Sequence, residues 1–151
     1  MLEDPWPGAH ATSCAQHGIC DELWSASEPD AHAARLHNPA LILGAKAGID
    51  PNILWSIVKA SSGNSATWAG GVKAILKDKL SPNFTVSLAF KDINLATDLA
   101  KELGVDLPVG SVTQRLLKEF CQNGFANEDI LATIKVLESS SGASIRGQWR
   151  D

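Results

Sequence analysis

The chain has 151 residues, 44% of them hydrophobic and 20% charged, which suits one domain with enough apolar content for a core. With a net charge of −4, no basic surface advertises nucleic acid or an anionic membrane as a partner. No apolar run nears the ~20 residues of a spanning helix, no basic start with an apolar stretch marks a signal peptide, and three cysteines make no disulfide framework. A cytoplasmic protein is the expectation.

The first forty residues differ in kind from the rest. They carry six acidic side chains against one basic, Arg35, a local balance of −5 where the remainder balances at +1. All four histidines lie there with Pro5, Pro7, Pro29 and Pro39, and neither Val nor Phe occurs. Such a stretch buries little and keeps interrupting regular structure. Residues 1–39 are therefore expected to be poorly structured, with at most a short helix at 21–26 or 30–36.

From Pro39 onward the period is helical. Leu41, Ile42 and Ala45 lead to Gly48, a suitable stop. In "GIDPNILWSIVKAS", Asp50 serves as N-cap and Pro51 as first helical residue, with Ile53, Leu54, Ile57 and Val58 on one face. "SSGNSATW" breaks that helix, and Ser65 caps a shorter one through Trp68, Val72, Ile75 and Leu76. After Pro82 comes the longest helix, with Val86, Leu88, Phe90, Ile93, Leu95, Ala96, Leu99, Ala100 and Leu103 making it apolar on most sides. A helix of that kind is buried between neighbours or between subunits. Gly104 closes it, and Pro108 opens the next, which carries Val112, Leu116, Leu117 and Phe120. Asn127 is expected to cap a last helix, with Glu128 and Asp129 favouring the positive end of its dipole and Ile130, Ile134 and Leu137 facing in. No stretch alternates with period two long enough for a strand. The pattern predicts an all-α bundle of five to six helices over residues 40–139, with 140–151 as a flexible tail.

Candidate chemistry is sparse. His10, Cys14, His17 and Cys20 alternate at ligand-like intervals, yet they match no standard zinc arrangement, and a chance collection in a core-poor stretch is the stronger reading. Cys121 follows the core-facing Phe120 and reads as a buried, inert thiol. Gly-rich nucleotide loops and hydrolase elbows are missing. In "SPNFTVSLAFKDINLA", Lys91 and Asp92 are the only charges between Lys79 and Asp98. Such a pair is either a snorkelling surface pair or a polar spot kept for a ligand, with Phe84 near it at the head of the helix.

The runs "AKAGID", "SSGNSATW", "LSPNFTVSLAFKDINLATDLAKELGVDLPV" and "NEDILATIKVLE" resemble, over roughly residues 41–138, the C-terminal all-α domain of the β-hydroxyacid dehydrogenases. These are 3-hydroxyisobutyrate dehydrogenase-like enzymes related to 6-phosphogluconate dehydrogenase. The resemblance implies a helical domain that forms the dimer contact and one wall of a cleft, closed by a Rossmann domain that holds NAD or NADP. It implies hydride transfer to or from short 3-hydroxy acids or their semialdehydes. It also implies that Lys91 reaches the cofactor side of the cleft, while Phe84 and Asp92 shape the substrate side. Ser65 and Trp68 fall in a segment near the inner face, and a core anchor is the stronger reading for Trp68. The family's proton-relaying Lys should fall within residues 1–40, where no Lys occurs; the first is Lys46. The chain is thus expected to be inactive alone and to need a Rossmann-containing dehydrogenase chain or to form a homodimer. A non-catalytic dimerisation or interaction module is the alternative, and a small zinc-binding protein using the N-terminal His and Cys residues is a weaker one.

Overall fold

A computed structural model describes residues 29–150. Six α-helices follow in chain order: α1 (Pro29–Lys46), α2 (Pro51–Lys59), α3 (Lys73–Leu76), α4 (Val86–Leu103), α5 (Pro108–Phe120) and α6 (Ile134–Ser141). A π-helical turn, Thr67–Val72, runs into α3; another, Cys121–Phe125, extends α5; and a 3₁₀ turn, Ile130–Thr133, leads into α6. Among the described residues no strand forms, and the one extended pairing is an isolated antiparallel bridge between Thr85 and Asp129. This is the all-α bundle the sequence predicts. None of the described helices is long and apolar enough to cross a membrane.

Most helix ends follow from local chemistry. Asp50 accepts a hydrogen bond from the Asn52 amide at 2.8 Å, and Pro51 opens α2 with the one residue that has no N–H to leave unpaired. The Ser65 hydroxyl accepts from the Trp68 amide at 3.0 Å. Thr85 caps α4 by accepting from the Leu88 amide, and Gly104 ends it in the left-handed conformation at φ 67°.

Two apolar clusters form the interior. Leu41 and Ile42 of α1 pack with Trp68, Val72, Ile75, Leu76, Ile134 and Ile145. Val86, Ala89 and Ile93 of α4 pack with Leu117 and Ile130. Leu131 touches both, so the 3₁₀ turn is the seam between them. Trp68, 1% exposed, is a core anchor. Its indole N–H donates to the Trp55 carbonyl at 3.0 Å, while the Trp55 indole donates to the Ala69 carbonyl at 3.2 Å. Both rings therefore enter apolar surroundings with their polar atom satisfied.

Three expectations need correction. First, α1 begins at Pro29 and passes through Pro39 rather than starting at residue 40. Proline weakens a helix interior, but Asn38, Leu41 and Ile42 beside it are buried, and the Asn38 amide donates to the Thr133 hydroxyl at 2.9 Å. Tertiary packing outweighs local propensity here. Second, Asp129, not Asn127, caps the last helical run, accepting from the Leu131 amide at 3.0 Å. Third, the segment after α6 is not a frayed tail. Ile145 is fully buried, the Trp149 amide donates to the Leu76 carbonyl at 2.9 Å, and the Trp149 ring meets Trp55 edge-on at 5.0 Å. Arg150 pairs with Asp50 at 2.9 Å, fastening the strap to the start of α2.

Candidate functional site

The site grows from the seam between the two clusters. A hollow of about 390 Å³ opens there. Its walls come from three places: Ala66, Thr67 and Gly71 at the π-helical turn, Asn83 and Phe84 ahead of α4, and Asp129, Ile130 and Leu131 at the 3₁₀ turn. A π-helical turn inserted in an α-helix often marks a functional site. Gly71 lies at a close approach: a Cβ there would stand 3.0 Å from Leu131 Cδ2 and 3.3 Å from Thr67 Cγ2, so those side chains would have to give by a few tenths of an ångström.

Backbone bonds hold the Phe84 wall against the 3₁₀ turn. The Ile130 amide donates to the Phe84 carbonyl at 2.9 Å, and the Val86 amide to the Glu128 carbonyl at 3.0 Å. Asp129 adds its side chain, which accepts from the amides of Asn83 at 2.9 Å and Phe84 at 3.2 Å. The hollow is therefore lined by fixed elements rather than by free loops.

Lys91 and Asp92 lie on the second turn of α4 and form an ion pair at 3.0 Å. The Lys91 side chain is 63% exposed and that of Asp92 16%. An ion pair this open to water contributes only ~0–1 kcal/mol to stability. Phe84 lines the hollow; Lys91 and Asp92 do not. The structure thus joins two of the three expected site residues in one pair and puts the third on a separate, neighbouring feature. Ser65 serves as a helix cap and Trp68 as core.

The remaining candidates fall away or lie elsewhere. Cys121 is half-buried, and burial pushes its thiol pKa up, away from the reactive thiolate. His10, Cys14, His17 and Cys20 lie outside the described residues, and among the described residues no three His, Cys, Asp or Glu side chains cluster as metal ligands. Sequence reasoning missed Gly71, Asn83 and Asp129. Asp129 left one signal, an acid inside the capping run "NED", but its distant partners in the Asn83–Phe84 segment could not be read from spacing.

Comparison with known proteins agrees with this architecture. A family profile described as "NAD-binding of NADP-dependent 3-hydroxyisobutyrate dehydrogenase" matches residues 33–137. The chain is 35% identical over 109 residues to 2-(hydroxymethyl)glutarate dehydrogenase of Eubacterium barkeri, an alignment that covers 72% of this chain and 36% of that protein. It is 29% identical over 108 residues to L-threonate dehydrogenase of Escherichia coli strain K12, covering 72% and 35%. The crystal structure of 3-hydroxyisobutyrate dehydrogenase from Salmonella typhimurium superimposes with a TM-score of 0.66 at 28% identity, over 86% of this chain and 42% of that one. The chain thus spans about a third of the length of the curated relatives it matches. Both the matched residues and the shared helical architecture lead to one conclusion: the chain belongs to the 3-hydroxyisobutyrate dehydrogenase family, through the helical NAD-binding domain of those enzymes.

Proposed function

We propose that this chain is the helical wall of a nicotinamide-dependent dehydrogenase for short 3-hydroxy acids or their semialdehydes, working beside a Rossmann-type unit that grips NAD or NADP. The observation that carries the reading is the composition of one helix and its lead. An exposed cation, Lys91, sits beside half-buried Asp92 on α4, and Phe84 ahead of that helix borders an apolar hollow. All three lie inside the stretch that matches the family. The names of the relatives, dehydrogenases of 2-(hydroxymethyl)glutarate and L-threonate, support a hydroxy-acid substrate.

The residues suit these roles. An ammonium has three donors, so Lys91 can bond Asp92 and still donate to an oxygen of the cofactor. Asp92 holds that ammonium in place, and Phe84 offers an apolar face to the carbon chain of the substrate. The nicotinamide, when bound, supplies or accepts the hydride. The accompanying proton needs a general acid or base, which the family resemblance puts on a Lys that residues 1–40 lack. Turnover by the chain alone is therefore not part of the proposal, and tight cofactor binding belongs to the assembled pair.

The test is a titration of the ¹⁵N-labelled chain with NADH. Amide signals at Phe84, Lys91 and Asp92 should shift with weak affinity, a Kd on the order of 1 mM, and Lys91→Ala should abolish the shifts at 91 and 92. Shifts confined to another face, or none at millimolar NADH, would contradict the reading.

A second reading, self-association, is favoured by a separate observation. Leu88, Leu95 and Leu103 of α4 and Val109, Val112 and Leu116 of α5 are exposed, and water-facing apolar side chains on paired helices suit a second copy of the chain.

A further inference from the structure

Asp129 is nine-tenths buried, at 5% exposure, with both carboxylate oxygens engaged. One accepts from the Leu131 amide at 3.0 Å, the ordinary work of a helix cap. The other accepts from two amides far away in sequence, Asn83 at 2.9 Å and Phe84 at 3.2 Å. A cap needs only the first of these. Serine or threonine would supply one oxygen, and asparagine would turn an NH₂ group toward one set of N–H donors. Only a carboxylate, with two oxygens and no donor, accepts from all three. The residue type at position 129 is therefore chosen for the clasp as well as for the cap.

The clasp acts where the hollow is built. Asn83, Phe84, Ile130 and Leu131 all line it, and Asp129 joins the first two to the last two. We infer that Asp129 is a positioning residue: it touches no reacting atom itself but sets the Phe84 wall against the 3₁₀ turn and so fixes the width of the hollow. This rests on the reading of Phe84 as the substrate-side wall.

Asp129→Ser in the full chain separates the two jobs, because a serine hydroxyl can still cap Leu131. The chain has four phenylalanines, so labelling with 4-fluorophenylalanine gives four ¹⁹F signals, assigned with Phe84→Leu. In Asp129→Ser the Phe84 signal should move while those of Phe90, Phe120 and Phe125 stay. Amide hydrogen exchange at Asn83 and Phe84 should accelerate roughly tenfold or more, with Leu131 protected as before; Asp129→Ala should expose Leu131 too. An unmoved Phe84 signal with unchanged protection at 83 and 84 would overturn the inference. So would rapid exchange at Asn83 and Phe84 in the unmodified chain, a measurement that stands even where a variant does not fold. Neither readout uses NADH, so failure of the cofactor reading would leave this result intact and separately legible.

Discussion

Glu138 keeps a charged carboxylate in a nearly dry place. Burial by itself pushes its pKa up, but the Arg146 guanidinium at 2.6 Å and the amides of Ile145 at 2.7 Å and Arg146 at 3.0 Å outweigh that, so the group sits below the usual carboxylate range. A carboxyl with a lowered folded pKa stabilises the fold at pH values above its unfolded pKa, about 4.3, and loses that contribution as pH falls through the folded value. Glu138→Gln should accordingly cost about 3 kcal/mol near neutral pH, measured by urea unfolding, and the gap from the native chain should close as the solution is acidified below about pH 4. A gap that does not vary with pH would contradict this. Lys91 is the opposite case. Its pair with Asp92 is open to water, so Lys91→Ala should shift unfolding by less than about 1 kcal/mol, leaving any loss of cofactor contact attributable to the missing ammonium.

At the level of elements, the strap after α6 completes the first cluster. It buries Ile145 fully and brings Trp149 against Trp55, with the Lys73 ammonium 4.8 Å from the Trp149 ring. Ending the chain at Ser144 removes these together, and the loss should be at least about 3 kcal/mol in urea unfolding, since burial of each large apolar side chain contributes ~1.5–3 kcal/mol. Unchanged stability would mean that the strap lies on a core already closed without it. This strap also marks the boundary of what the sequence made legible. Elements ending on local chemistry were readable: Asp50 with Pro51, the Ser65 cap, Gly104, and Pro108. Elements decided by remote partners were not. The passage of α1 through Pro39 depends on packing around Leu41 and Ile42, and capping by Asp129 rather than Asn127 goes with its bonds to Asn83 and Phe84. "SSSGASIRGQWRD" reads as polar because Ala143, Ile145 and Trp149 are its only apolar residues, yet Ile145 belongs to the first cluster and the other two pack against it. The candidate site was half legible for the same reason: the pairing of Lys91 and Asp92 is local, while the hollow beside Phe84 is assembled from three distant segments.

For the whole molecule, two properties follow from what the bundle leaves uncovered. The exposed leucines of α4 and valines of α5 should make the chain self-associate, so light scattering at increasing concentration should give a dimer mass, and Val112→Asp should return a monomer; a monomer at high concentration would remove the second reading. Whether this bundle can serve as the helical wall of a hydroxy-acid dehydrogenase is decided by a graft. Residues 41–137 replace the matching segment of 2-(hydroxymethyl)glutarate dehydrogenase, so that everything ahead of that segment, where the resemblance puts the proton-relaying Lys, stays the host's, and NADH formation from 2-(hydroxymethyl)glutarate is followed. The folded graft should turn over, with a rate lowered roughly tenfold or more by Lys91→Ala through the loss of one charge-assisted bond. A graft that folds and binds NAD but transfers no hydride would contradict it.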